Sequence, residues 1–365
     1  MTPLPRWIEV GVVPLINLTL ALIVTGIVIA LIGEDPFKAV EVMIQGAFVY
    51  PGSLGYTLYY ATTYIFAGLA VAVAFHAMLF NIGGEGQAML GGLGIALVCL
   101  ALDPYLPGFL VILLAIAGAA AFGALWALIP GWLQAYRGSH IVITTIMFNF
   151  IASGLLVWLL GGILMGDGQG SPQSRFFADG ARLPKVHDIA GGLGLKVGQS
   201  PLNLAILLMI LACIGVWVLI WRTKFGYALR AMGHSEPAAE YAGIPVRRMI
   251  VVAMLISGAL AGCMALNIIL GDQGKLVLNF SAGFGFTGIA VALMGRNHPV
   301  GIVMAGLLFG ALTQGGSELD FEFKTITREM VLVIQGLIIL FSGALAHMFV
   351  PWLIRIFANR TMGHA

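Results

Sequence analysis

A polar stretch, Asn81-Ile82-Gly83-Gly84-Glu85-Gly86-Gln87, interrupts a long apolar region of this chain. Its amide and carboxyl groups can bind a polar solute, and its glycines permit backbone that is not helical. Inside a membrane, unwound backbone is tolerated where it is buried in protein or lines a cavity. The alternative is a plain turn at the cytoplasmic surface, and the residues alone leave both interpretations open.

A second stretch, residues 280–295, reads FSAGFGFTGIAVALMG and sets Phe284 and Phe286 on either side of a glycine. The helical pattern starts only after these aromatic residues. Rings on a broken helix can stack on a planar or sugar-like solute. Otherwise they are ordinary lipid-facing or core residues, which is the common case for a phenylalanine in a membrane.

Nothing in the sequence is arranged for catalysis or energy coupling. The only Gly-Lys pair, Gly274-Lys275, is followed by leucine, so the chain has no phosphate-binding GxxxxGK[ST] loop. His76 and Glu85 are too few for the proton relay of an ion-coupled carrier, and we expect His76 to be a hydrogen-bonded interior residue. The three cysteines lack metal-ligand spacing. We therefore expect no enzyme activity, metal or cofactor in this chain.

The composition predicts an all-α membrane protein. Of 365 residues, 60% are apolar and 9% are charged, against about 25% charged in a soluble domain. The apolar residues suffice for roughly ten spans of about 20 residues each. We expect one polytopic helical bundle over residues 1–365 and no large soluble catalytic domain. A net charge of +2 gives no electrostatic basis for a nucleic-acid partner.

Hydropathy divides this bundle into ten segments. The third and eighth are short and rich in glycine, so we expect them to be broken or re-entrant. Small-residue faces such as Gly91-Gly92-x-Gly94 and Gly258-Ala259-x-Ala261-Gly262 predict close helix packing. The segments are residues 10–33, 57–80, 87–102, 108–129, 141–165, 201–221, 250–270, 284–295, 299–316 and 329–350.

The charges orient these spans. A cytoplasmic N-terminus and ten spans leave ten basic and three acidic residues on the cytoplasmic side. That excess satisfies the positive-inside rule, and an odd number of spans would destroy it, so both termini are expected in the cytoplasm. The basic residues are Arg6, Arg137, Arg222, Lys224, Arg230, Arg247, Arg248, Arg296, Arg355 and Arg360, and the acidic ones are Glu9, Glu236 and Glu240.

Two loops are long enough to have a function of their own. The outer loop, residues 166–200, is polar and punctuated by glycine and proline, which predicts turns and short pieces on the membrane surface. It is either a contact for an external binding protein or a solvated connector. The inner loop, residues 222–249, predicts a helical hairpin, in which Ser235 caps the second helix, Pro237 opens it and Gly243 ends it. Such capping suits either a docking surface or a structured connector.

The inner loop also resembles the cytoplasmic loop of the branched-chain amino acid, ribose and simple-sugar class of ABC importer permeases. The resemblance rests on Phe225-Gly226-x-x-Leu229-Arg230-Ala231-x-Gly233-His234-Ser235-Glu236-Pro237-Ala238-Ala239-Glu240-Tyr241-Ala242-Gly243-Ile244. The stretches Phe80 to Gln87, Thr144-Thr145-Ile146-Met147-Phe148-Asn149-Phe150 and Gly283 to Leu293 are similar to the nucleoside and simple-sugar permeases that work with a basic-membrane-protein lipoprotein. Together they cover roughly residues 60 to 345.

The resemblance implies a type II importer permease in the inner membrane. Its partners would be an ABC ATPase, which binds ATP and magnesium, a second and paralogous permease, and an extracytoplasmic substrate-binding lipoprotein. It implies that the inner loop couples to the ATPase through Arg230, Gly233, Glu236, Pro237, Ala239 and Gly243. By the same analogy, the translocation pathway is lined by Asn81, Glu85, Gln87, Asn149, Phe284, Phe286 and Gln335.

The substrate stays open between two classes. Amides beside aromatic rings suit a nucleoside, with its ribose hydroxyls and flat base, and they also suit a simple sugar such as ribose. A self-sufficient ion-coupled carrier or channel is an alternative of another class, against which the scarcity of ionisable residues in the spans counts.

Overall fold

The computed structural model describes residues 13–340, apart from residues 167, 169, 196 and 324. The regular elements of this part are helices, which confirms the all-α prediction. Two isolated β-bridges, Gln173 with Val277 and Lys185 with Asn203, are the exceptions among the described residues. The helices are α1 Val13–Ile32, α2 Pro36–Phe48, α3 Ser53–Phe75, α4 Gly84–Leu102, α5 Gly108–Arg137, α6 Ile141–Leu160, α7 Val186–Gly192, α8 Ala205–Arg222, α9 Lys224–His234, α10 Glu236–Tyr241, α11 Val246–Ala265, α12 Phe284–Met294, α13 Pro299–Glu322 and α14 Arg328–Ile339.

Every predicted apolar segment overlaps a described helix. Seven helices in the described part are long and apolar enough to cross a membrane, or eight if α1 and α2, bent by 118°, count as one broken span. The eighth segment is α12, which has only 11 residues. Residues 341–350 of the tenth segment, the start of the first, and Arg6, Glu9, Arg355 and Arg360 lie outside the described residues.

The first compact unit comprises the described residues up to Tyr50 together with those from Leu312 onward. In it, α2 begins after Asp35, whose carboxylate accepts hydrogen bonds from the backbone N–H groups of Phe37 and Lys38. Gly46 of α2 lies against Glu318, so that helix and the end of α13 pack closely. The hydropathy pattern did not predict α2.

The second unit, Pro51–Ala311, holds the remaining helices. Here α3 and α4 are buried along most of their length, whereas less than a third of the apolar stretches of α5, α6 and α8 is buried, as expected of helices that face lipid. Glycines bring the helices together: a Cβ on Gly91 would collide with the backbone of Gly262, and one on Gly123 with the backbone of Gly258. The predicted close packing of small-residue faces is therefore confirmed.

The third predicted segment is not broken internally, because α4 is continuous from Gly84 to Leu102. The interruption precedes it, at residues 76–83, where Met78 adopts a left-handed conformation with φ of 56°. Asn81 in this interruption donates to Ser257 Oγ, which itself donates to the carbonyl oxygen of Ala70. Since Ala70 lies well before the end of α3, the chain turns back along α3 before α4 starts.

The outer loop consists of turns and short pieces, as predicted. It contains a 3-10 turn at Asp179–Ala181 and the short helix α7. Phe177 and Ala181 are buried in the hydrophobic core of the second unit. The loop is therefore packed onto the helices.

Candidate functional site

The first part of the candidate site is a junction at which α4 and α12 begin. Glu85, in the first turn of α4, is 5% exposed. Its two carboxylate oxygens accept hydrogen bonds from the backbone N–H groups of Gly283, at 2.9 Å, and Gly285, at 2.8 Å. The N-terminal N–H groups of a helix have no partner within the helix, so the carboxylate caps α12 from a different helix. A Cβ on Gly285 would collide with the backbone of Glu85, which explains the glycine there.

Amide side chains hold the unwound segment before α4. Asn81 and Gln87 form a reciprocal pair, in which each side-chain nitrogen donates to the other's oxygen at 3.0 and 3.1 Å. Asn81 Oδ1 also accepts from the backbone N–H of Gly83. Asn81 and Gln87 are 2% and 1% exposed. Their hydrogen bonds therefore replace the backbone bonds that a continuous helix would make.

The helix α6 supplies the third wall of this junction. Asn149 Oδ1 accepts from the backbone N–H of Gly86, and Asn149 Nδ2 donates to the carbonyl oxygen of Ile82, both at 2.9 Å. Thr145 Oγ1 accepts from the N–H of Ile82 at 3.3 Å. Asn149 thus fixes the backbone on both sides of the start of α4.

The two predicted phenylalanines have different surroundings. Phe284 packs against Tyr64 and Tyr60 of α3, with ring centroids 5.1 and 6.3 Å apart. Phe286 is 46% exposed on the surface of the second unit. The start of α12 therefore has aromatic rings next to the junction, one of them open for contact.

Five of the predicted pathway residues come together around this junction, namely Asn81, Glu85, Gln87, Asn149 and Phe284. Phe286 lies on the same helix as Phe284. Gln335 belongs to the other compact unit, where its side chain donates to Thr313 Oγ1 at 3.3 Å. The four polar side chains are buried and bonded to one another or to backbone. Among the described residues, no group of three His, Cys, Asp or Glu side chains could hold a metal ion.

The second part of the candidate site is the hairpin formed by α9 and α10. Thr223 Oγ1 caps α9 by accepting from the N–H of Gly226, and Ser235 Oγ caps α10 by accepting from Ala238. Gly243 follows α10 with φ of 80°, a conformation that favours glycine. The predicted helices, their Ser235 cap and their Gly243 terminator are confirmed, with α10 beginning one residue before Pro237.

The predicted coupling residues divide into two faces of this hairpin. Ala239 is buried, and Arg230 and Gly233 are partly buried. Exposed residues form the other face, with Tyr241 96% exposed. They include Glu236, Pro237, Glu240 and Gly243. An exposed tyrosine is a residue type enriched where proteins bind one another, so this face can bind a partner protein.

Comparison with known proteins decides the family. The model for the permease component of branched-chain amino acid transport systems matches residues 53–343. The chain belongs to this permease family. A glucose ABC transporter permease of Haloferax volcanii is 34% identical over 338 residues, which are 92% of this chain and 88% of the relative. A guanosine ABC transporter permease of Bacillus subtilis is 36% identical over 333 residues, 91% and 92% of the two chains.

A further guanosine permease of the same bacterium is more distant, at 28% identity over 261 residues, 70% of this chain and 78% of the relative. The family resemblance read from the inner loop is thus confirmed. Membership favours a subunit of a transport system over a self-sufficient ion-coupled carrier.

Sequence reasoning missed a second buried polar cluster in this permease. After α11 the helix widens to a π-helix, Leu266–Gln273. In it, Asn267 Nδ2 donates to the Tyr59 carbonyl oxygen and to Thr63 Oγ1, both at 2.8 Å. Asn203, between the outer loop and α8, donates to Asn267 Oδ1 at 3.1 Å. An asparagine inside an apolar span is a signal that could have pointed to this cluster.

The outer loop of the permease is anchored by an ion pair. Arg175 binds Asp103, at the end of α4, through both guanidinium NH groups at 2.6 and 2.9 Å. The backbone N–H of Ala178 donates to the same carboxylate. The hydrogen bonds from Arg175, together with that from Ala178, lower the pKa of Asp103 below its usual range, although burial opposes them.

Proposed function

We propose that this chain is the membrane permease of an ATP-driven importer and that it carries nucleosides. The observation that carries the nucleoside assignment is the aromatic first turn of α12, where Phe286 is exposed and Phe284, two residues before it, packs against Tyr60. A flat base stacks on such rings. The guanosine permease of Bacillus subtilis, similar over nearly the full chain, supports the same substrate class.

Uptake of labelled guanosine into cells that lack this chain tests the assignment. Restoring the wild-type chain should restore uptake, and Phe286→Ala should restore much less. Leu293→Ala, a similar truncation of an exposed residue on the same helix, is the matched control and should transport normally. Normal guanosine uptake without the chain, together with lost glucose or ribose uptake, would favour a simple sugar, as the Haloferax relative does.

The exposed face of the α9–α10 hairpin is the proposed docking surface for the ATPase subunit. Its capped helices keep one shape without a partner, so docking costs little ordering entropy. Exposed Glu236, Pro237 and Gly243 would contact the ATPase, while Arg230, Gly233 and Ala239 attach the hairpin to the spans. This division refines the role implied by the family resemblance.

Charge reversal tests the docking surface. Glu236→Lys should reduce co-purification of the ATPase with the permease and leave membrane insertion unchanged. Glu41→Lys, an exposed carboxylate on α2, is the matched control. Normal assembly and transport by the Glu236→Lys variant would refute the docking assignment.

The remaining components of the importer follow from the same proposal. ATP and magnesium are bound by the ATPase, so this chain performs no hydrolysis. A second permease pairs with it, as the presence of two guanosine permeases in Bacillus subtilis supports. A substrate-binding lipoprotein delivers the nucleoside from outside. Purification of the tagged chain should recover all three partners, and recovery of this chain alone would contradict the assembly.

Both termini are proposed to lie in the cytoplasm of a cell whose inner membrane holds the permease. The orientation predicts that Asp179, in the outer loop, is outside and that His140, before α6, is inside; both residues are exposed. In a variant without the native cysteines, Asp179→Cys should react with a membrane-impermeant maleimide in intact cells. His140→Cys should react only after lysis, and the reverse labelling would invert the topology.

A further inference from the structure

The short helix α12 is held at both ends by the same piece of chain. At its start, Glu85 accepts the N–H groups of Gly283 and Gly285. Just past its end, His76 Nε2 lies 3.0 Å from the carbonyl oxygen of Asn297. A carbonyl oxygen only accepts, so this ring nitrogen is the donor. Residues 76–85 therefore form a bracket that spans the whole of α12, about 16 Å at 1.5 Å per residue.

The side of α12 is fixed to α3, the helix from which this bracket emerges. A Cβ on Gly288 would collide with Ala67. A Cβ on Gly68 would come within 3.0 Å of a methyl group of Val291, one turn further along α12. Residues 76–85 thus hold α12 at both ends, and one side of α12 packs closely against α3.

The bracket touches the α9–α10 hairpin at His76. A Cβ on Gly233, near the end of α9, would collide with the carbonyl oxygen of His76. The imidazole ring also packs edge-on against Trp221 of α8, with centroids 5.2 Å apart, and Trp221 contacts His298 at 4.8 Å. One residue thus meets the hairpin through its backbone and the end of α12 through its ring.

The two joints beside this contact are strained. Arg296 and Asn297, which link α12 to α13, have φ of 52° and 55°, and Met78 in the bracket has φ of 56°. Residues other than glycine adopt this left-handed region at a cost, and such positions cluster where segments move. The joints are therefore placed to absorb a displacement of α12.

We propose that His76 is the positioning residue through which movement of the α9–α10 hairpin reaches α12. The proposal rests on the proposed function, since it assigns that movement to the ATPase. When the hairpin shifts, Gly233 displaces the His76 backbone, the His76 ring displaces Asn297, and α12 carries Phe284 and Phe286 with it. Phe286, the exposed ring proposed to stack on the nucleoside base, would then change its exposure with each ATPase cycle.

A double substitution tests the link in the purified full-length chain, without ATPase or substrate. Gly233→Ala forces a methyl group against His76, and it should raise hydrogen exchange at residues 283–287 by at least about threefold, the size of a coupling between contacting groups. In a His76→Phe background, which keeps a ring but removes the donor, Gly233→Ala should have no further effect. Gly215→Ala, at a glycine of α8 with open space around it, is the control.

Two results would overturn the proposal. An unchanged exchange rate in Gly233→Ala would show that the hairpin does not reach α12, and an equal increase in both backgrounds would show that it does so without His76. A second measurement uses the whole importer: His76→Phe should keep ATP hydrolysis and lose nucleoside uptake per ATP, and His76→Gln, which restores a side-chain N–H, should recover it. A wild-type importer that moves no nucleoside would refute the proposed function, while the exchange result would still decide the role of His76.

Discussion

Removing the Glu85 carboxylate should loosen the start of α12. The carboxylate accepts two backbone N–H groups, and a hydrogen bond to a charged group contributes about 1.5–3 kcal/mol, so Glu85→Ala forfeits about 3–6 kcal/mol. Part of this is regained because the variant no longer buries a charge, which leaves a net cost of about 2–4 kcal/mol for the first turn of α12. At tenfold per 1.4 kcal/mol, amide exchange at Gly285 should rise roughly 30- to 700-fold.

Hydrogen exchange with mass spectrometry on the chain in lipid nanodiscs measures this effect in peptides that cover residues 280–290. Glu85→Gln keeps one acceptor oxygen, so its exchange rate should lie between those of wild type and Glu85→Ala. Glu240→Ala, at an exposed carboxylate of α10, is the matched control and should leave these peptides unchanged. Wild-type protection in Glu85→Ala would refute the assignment of Glu85 as the cap of α12.

Three further substitutions test other contacts. Asp103→Asn should make the outer loop open to cleavage by thermolysin at pH 7. Because folding lowers the pKa of Asp103, the wild-type ion pair with Arg175 should persist above about pH 4, and pepsin should cleave the wild-type loop only below that pH. Gly262→Val should lower the midpoint of thermal unfolding of the purified chain by several degrees or prevent folding, because the new side chain would collide with the backbone of α5. Gly154→Val, at a glycine with open space around it, is the control and should leave the midpoint unchanged. Asn267→Ala should cost about 2–3 kcal/mol, seen as a lower midpoint of thermal unfolding, because Tyr59 and Thr63 lose a donor; an unchanged midpoint would contradict the importance of this cluster.

Local sequence patterns predicted the helices well, because a membrane span and a helix cap each depend on residues that lie close together in the sequence. The caps at Ser235 and Gly243 were found in this way. The helix α2 was missed because Lys38, Glu41 and Gln45 lower its hydropathy over only 13 residues. Its signal was Asp35 followed by proline, a helix start that a search for apolar runs does not detect.

The residues of the site were predicted, but their contacts were not. Asn81, Glu85 and Gln87 were singled out as a polar, glycine-rich stretch in an apolar region, whereas Asn149 came only from the family resemblance. Their partners could not be read from the sequence, since Glu85 bonds residues 198 and 200 positions away and Asn149 bonds backbone 63 and 67 positions away. Contacts between residues so far apart in the sequence depend on how the helices pack, and a hydropathy pattern does not show which helices pack together.

Under the proposed function the junction lies beside the translocation pathway, so its charge bears on which substrates can pass. The helices α4 and α12 both begin at this junction. The N-terminus of each helix carries about half a positive charge, which attracts anions. In other circumstances two such ends would favour a phosphate or carboxylate in the substrate. Glu85 already lies in the first turn of α4 and accepts the N–H groups that precede and open α12, so the positive ends are satisfied by the protein itself. A second anion would meet the Glu85 charge in a buried setting, where like charges repel strongly. If the proposed nucleoside passes this junction, the electrostatic balance favours the neutral nucleoside over its phosphorylated form.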